Sequence, residues 1–132
     1  MSESTDASVA AGVQAAVAAY AQALDDGRVE DLVELFTPDG VSDIAGVGVF
    51  EGRDAIRAGY AGFVPTRPQL HLVGNTLVTS QAATEVTATS DLTFFLRGKA
   101  GWAVQMVGRY EDTLRLHDGA WRFHRRVTTF HP

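Results

Sequence analysis

In Pro65-Thr-Arg-Pro68-Gln-Leu-His71-Leu-Val-Gly-Asn75 the chain changes its period. The two prolines forbid a continuing helix. Upstream, Val9, Val13, Val17, Tyr20 and Leu24 recur every three or four residues, which predicts a helix from about Ser8 to Asp25 with one buried face. Asp6 or Ser8 is placed to cap it, and Gly27 to end it. A second short helix is expected over about Val29 to Phe36, then a turn at Pro38-Asp-Gly40. Two short strands, Val41–Ile44 and Val47–Phe50, precede a third helix from about Arg53 to Phe63, with Ile56, Tyr60 and Phe63 on one face. Downstream, strands are expected over about Gln69–Ser80, Ala83–Arg97, Trp102–Leu116 and Trp121–Phe130, rich in Val, Thr, Leu and aromatics. The turns between them are too short for crossovers, so the sheet is expected to be antiparallel. The expected class is α+β: three helices under a curved antiparallel sheet, forming a cone around an apolar pocket. Residues 1–7 read as a disordered tail and 8–132 as one domain.

Composition narrows the function. With 132 residues, 45% apolar and 20% charged, the chain can bury a single core. A net charge of −5 argues against nucleic acid as a partner. The absence of cysteine rules out disulfides, thiolate catalysis and cysteine-held metals. No uninterrupted apolar run reaches the roughly 18 residues needed to span a bilayer, and Met1-Ser-Glu-Ser-Thr-Asp6 is acidic where a secretory signal is basic. No membrane association and a cytoplasmic location are expected. No His-x-x-x-His spacing, P-loop or glycine-rich dinucleotide motif occurs, so no metal and no cofactor are implied.

Asp25 and His71 are the leading candidates for chemistry. An aspartate in the last turn of a helix opposes the macrodipole and wants a partner. If the fold joins it to His71, the carboxylate sets the imidazole's tautomer and makes it a general base. Tyr20 lies about 140° around the helix from Asp25, and a buried phenol seeks a hydrogen-bond partner. Tyr110 and Asp112 share one face of a regular strand with Gly108 and Leu114. Arg125 and Arg126 point to opposite faces, and strict alternation sets Arg126 opposite Trp121 unless a bulge intervenes. Asp43 is either a strand-end base or a turn residue before Ala45-Gly46. Tyr60 and Phe63 are expected to reach the pocket from the third helix.

The order of elements, with Tyr20-Ala-Gln-Ala-Leu-Asp-Asp-Gly27, Leu32-Val-Glu-Leu-Phe36, Phe50-Glu-Gly-Arg-Asp-Ala-Ile56, His71-Leu-Val-Gly-Asn75, Gly108-Arg-Tyr-Glu-Asp112 and Asp118-Gly-Ala-Trp-Arg-Phe123, resembles the nuclear transport factor 2-like superfamily and its SnoaL-like group. The resemblance implies a cone with a deep apolar pocket, and oligomers formed through the outer sheet face. In the dehydratase and dehydrochlorinase members an Asp–His pair moves the proton; those positions fall on Asp25 and His71. The dehydrochlorinase's last-strand arginine falls on Arg126. The ketosteroid isomerase tyrosine falls on Tyr20, its second donor near Asp112, and its base on Ile44, one residue past Asp43. The second pocket histidine of scytalone dehydratase falls around Leu96, and its serine and asparagine on Gly108 and Tyr110, so scytalone is not the expected substrate.

The expected function is therefore proton abstraction from a hydrophobic, polyketide- or steroid-like small molecule without a cofactor. His71, Asp25, Tyr20 and Arg126 form the catalytic set, and Tyr110, Asp112, Asp43, Tyr60 and Phe63 the substrate-binding set. A dehydratase, isomerase or cyclase would use the same step. The alternative is a non-catalytic pocket protein. A homodimer is expected, with a homotrimer as the other option.

Overall fold

The computed structural model describes residues 6–132, so most of the expected tail lies outside the described residues. Asp6 is already engaged: its carboxylate accepts the Ser8 N–H at 2.8 Å and caps α1 (Ala7–Asp26), which starts one residue before the expected position. Gly27 ends α1 in the left-handed region, φ 70°, where its N–H bonds back into the last turn. That stop leaves Asp25 in the last turn of the helix. By length and composition α1 could cross a membrane, yet it buries Val13, Val17 and Tyr20 in the core, as a core helix does.

The remaining elements are α2 (Val29–Glu34), β1 (Phe36–Ile44), β2 (Gly48–Glu51), α3 (Arg53–Ala61), β3 (Gln69–Gln81), β4 (Glu85–Gly98), β5 (Gly101–His117) and β6 (Ala120–Phe130). Phe36, expected at the end of the second helix, instead opens β1, aligned with Phe123 of β6, and both rings are fully buried. The six strands form one curved, open sheet in the order β2-β1-β6-β5-β4-β3.

The sheet is mixed, which corrects the antiparallel expectation. β1 runs parallel to β6, with Ser42 beside Arg126, while the other four pairings are antiparallel. The short-turn reasoning holds only for strands joined by hairpins. β1 and β6 are joined through most of the chain, so no turn dictates their direction.

Among the register slips of the sheet, three lie in the strands that flank the cavity. In β6 the register against β5 slips between Phe123 and Arg125, which leaves His124 unpaired. In β5 the slip against β4 falls at Gln105, and in β3 it falls at Asn75–Thr76, where Asn75 takes φ 52°. The core under the sheet joins Val13, Val17, Leu32, Ile56, Val86 and Leu114, each worth about 1.5–3 kcal/mol in buried apolar surface.

Candidate active site

The last turn of α1 faces the start of β3, and the two candidates meet there. His71 Nδ1 lies 2.6 Å from Asp25 Oδ1, and the His71 backbone N–H donates to Oδ2 at 2.7 Å. Gln69, two residues earlier on the same strand face, donates its side-chain amide to Oδ1 at 3.1 Å. Burial would raise the Asp25 pKa, but these hydrogen bonds from His71 and Gln69 outweigh it and hold the carboxyl below its ordinary value. An ionised carboxylate only accepts, so the network assigns a proton to Nδ1, and in the neutral ring the lone pair falls on Nε2. The imidazole is also stacked on Phe94, ring centroids 4.4 Å apart. Side-chain exposures of 12% for His71 and 10% for Asp25 leave the pair accessible without solvating it.

His71 forms part of the wall of a cavity of about 310 Å³, while Asp25 stands behind the ring. Tyr20, Tyr60, Phe63, Tyr110 and Gln69 also line it. The rest of the lining is apolar apart from Thr128, and includes Leu24, Ile44, Phe94 and Phe130. A chain of hydroxyls runs beneath: Tyr20 to Tyr60 at 2.5 Å, and Tyr60 to Ser42 at 2.7 Å. Burial raises the pKa of Tyr20, Tyr60 and Tyr110, so all three phenols keep their protons and can donate at neutral pH.

Other expected site residues lie elsewhere. The slip at His124 returns Phe123 and Arg126 to the same inner face, which settles the conflict seen in strict alternation. Yet Arg126 is 0% exposed and does not line the cavity. Its guanidinium carbon sits 3.4 Å from the Tyr110 ring centroid, 4.2 Å from Tyr20 and 4.4 Å from Phe123. Asp112 is buried beside it, with Oδ1 3.0 Å from Nε, although neither side chain finds a well-aligned hydrogen bond among the described residues. Burial pushes the Asp112 carboxyl up to about 6 against the pull of Arg126. The placement of Asp112 and Arg126 in direct contact with a ligand is thus corrected: both are buried and neither lines the cavity, and three aromatic rings pack on the Arg126 guanidinium. Asp43 is corrected too. It points to the outer face and pairs with Arg125 at 3.0 Å, because its neighbours Ser42 and Ile44 take the inward positions of β1.

Two residues of the site's hydrogen-bond networks, Gln69 and Ser42, escaped the sequence reading. Gln69 was detectable by its two-residue offset from His71. Ser42 was hidden because nothing local told which face of β1 turns inward. No cluster of three potential metal ligands occurs among the described residues.

Comparison with known proteins agrees with this architecture. A search of curated protein sequences finds no match. Among solved structures, Rv3472 of Mycobacterium tuberculosis, a protein of unknown function, is 27% identical with a TM-score of 0.84, over 91% of this chain and 70% of that one. A Novosphingobium aromaticivorans protein provisionally named a scytalone dehydratase is 25% identical with a TM-score of 0.81, over 92% and 83%. A Catenulispora acidiphila protein in complex with S-DNPA is 25% identical with a TM-score of 0.84, over 95% of each chain. The SnoaL-like domain model matches residues 6–127, and the chain belongs to that family.

Proposed function

We propose that this protein is a cofactor-independent enzyme that removes a proton from carbon in a hydrophobic small molecule. One observation carries the reading: an imidazole, 2.6 Å from an ionised carboxylate, forms part of the wall of an apolar cavity. His71 Nε2 takes a proton from a carbon next to a carbonyl, and Nδ1–H stays on Asp25, which steadies the imidazolium that forms. The electron pair released moves onto the carbonyl oxygen. Tyr20 donates to that oxygen, with Tyr60 and Ser42 behind it polarising the phenol. Water loss, double-bond migration or ring closure can each follow from the same enolate. Arg126 holds the aromatic floor from below and does not touch the substrate.

The names of two structural relatives support a small-molecule site: the scytalone dehydratase name and the bound S-DNPA. The exposed apolar side chains Leu70, Leu72, Trp102 and Val104 on the sheet support a homodimer.

The test uses carbon acids that need no knowledge of the natural substrate. Cyclic aryl ketones such as 2-tetralone are incubated in D2O, and loss of the α-proton signal is followed by NMR. Wild type is expected to accelerate exchange, and His71→Ala and Asp25→Asn to lose that acceleration. Equal rates in wild type and His71→Ala would return the chain to the reading of a non-catalytic pocket.

A further inference from the structure

The cavity wall holds a polar atom that the proton-transfer step does not use. Gln69 and His71 occupy successive inward positions of β3, and both line the cavity. Gln69 Nε2 donates to Asp25 Oδ1 at 3.1 Å. A carboxylate has no proton to give, so the amide's nitrogen end must face Asp25 and its oxygen end must face away. Among the described residues, no donor bonds to that Oε1. It is a half-buried acceptor held in one orientation beside the base. His71 Nε2, the neighbouring polar atom, is also an acceptor when the ring is neutral. Among the described residues, no Lys, Arg, Asp or Glu side chain lines the cavity, so this wall offers no fixed counter-charge to an ionic group.

We propose that Gln69 is a ligand-binding residue whose amide oxygen accepts a hydrogen bond from a hydroxyl, and that the cavity selects neutral molecules carrying an O–H group beside the carbon facing His71. The inference rests on the reading of the cavity as the ligand site. It adds a division of labour: the ligand's hydroxyl is engaged by Gln69, which keeps His71 Nε2 free for the carbon-bound proton. A ligand with an ether at the same position would set lone pair against lone pair and leave Oε1 without a partner, which disfavours it.

Two probes with one skeleton test this: 2-naphthol, which donates, and 2-methoxynaphthalene, which only accepts. Affinities are measured by fluorescence titration. Wild type is expected to prefer 2-naphthol by about fivefold or more. Gln69→Met keeps the side-chain length without either polar end, and is expected to bring the two affinities within about twofold. His71→Ala is expected to keep the preference. In wild type, the Gln69 side-chain amide resonances should shift on adding 2-naphthol and not on adding 2-methoxynaphthalene. This second readout does not depend on how a variant folds. Equal binding of the two probes to wild type overturns the proposal and leaves the cavity reading standing. A preference that survives Gln69→Met and vanishes in His71→Ala also overturns it, because the hydroxyl then sits on the imidazole. Failure of both probes to bind wild type overturns the cavity reading itself.

Discussion

The protein holds two pairs of opposite ionic character, one at the cavity wall and one sealed below it. Asp25 meets His71 where α1 ends, and receives three hydrogen bonds. Asp112 meets Arg126, whose guanidinium packs on three aromatic rings, with no well-aligned hydrogen bond on either side chain among the described residues. The two carboxyls shift in opposite directions: Asp25 below its ordinary value and Asp112 up to about 6. Burial pushes both upward, more strongly for the fully enclosed Asp112, whereas at Asp25 the hydrogen bonds from His71 and Gln69 to the charged form outweigh it. The same contrast separates their uses. The pair beside the cavity is the one to which the proposed proton transfer is assigned. The sealed pair has no ligand to reach, and its cation instead faces the rings of Tyr20 and Tyr110 from behind.

The contrast breaks most visibly if half of the sealed pair is removed. Arg126→Met leaves Asp112 buried without its counter-charge and is expected to cost about 3–5 kcal/mol of stability in urea denaturation. The double variant Arg126→Met, Asp112→Leu should recover most of that loss, because no charge then remains in the core.

The pH dependence of stability sharpens the comparison. In the folded state Asp112 keeps its proton up to about 6, whereas its ordinary value is 3.8. Between those values the folded chain binds more protons than the unfolded one, so the Asp112 contribution falls as pH rises through that window. The full change is on the order of 3 kcal/mol. Asp25 acts in the opposite sense. Its folded pKa is lowered, so its contribution is present above the ordinary carboxyl value and is lost as pH falls through the lowered one. Denaturation across a pH series should show Asp112→Asn removing the decline between pH 3.8 and about 6, and Asp25→Asn removing the loss at lower pH.

At the cavity wall, His71→Ala should lower ketone exchange by about 100-fold or more, close to 3 kcal/mol of barrier, with a much smaller change in melting temperature. A loss of activity matched by an equal loss of stability would erase the distinction between the two pairs. The smallest effect expected is from Ser42→Ala. It removes the far end of the hydroxyl chain and should cost about 1 kcal/mol of stability. Tyr20 and Tyr60 would remain bonded to each other, which infrared or NMR detection of their hydroxyl protons would check.

The places of Asp25 and His71 were legible in the sequence because punctuation marks both residues, whereas their meeting was left conditional there and is seen only in the packing of α1 against β3. Gly27 stops the helix just after Asp25, and Pro68 starts the strand just before His71. Tyr60 and Phe63 followed from helical period, since both lie on the inward face of α3 and the turn after it. Arg126 was half legible: its inward direction depends on the slip at His124, and its exclusion from the cavity depends on rings contributed by α1 and β5. Asp43 was misplaced because a four-residue apolar–polar stretch does not say which of its faces will meet α3.

Local periodicity and turn residues alone determined the helices, the hairpins and the α+β class, because these features arise from neighbours along the chain. The direction of β1 beside β6, the choice of Ser42 over Asp43, and the burial of Arg126 with Asp112 were decided only when distant segments packed together. Register and burial are long-range quantities: one slipped residue in a strand exchanges its faces, and a charge is sealed or accessible according to what covers it.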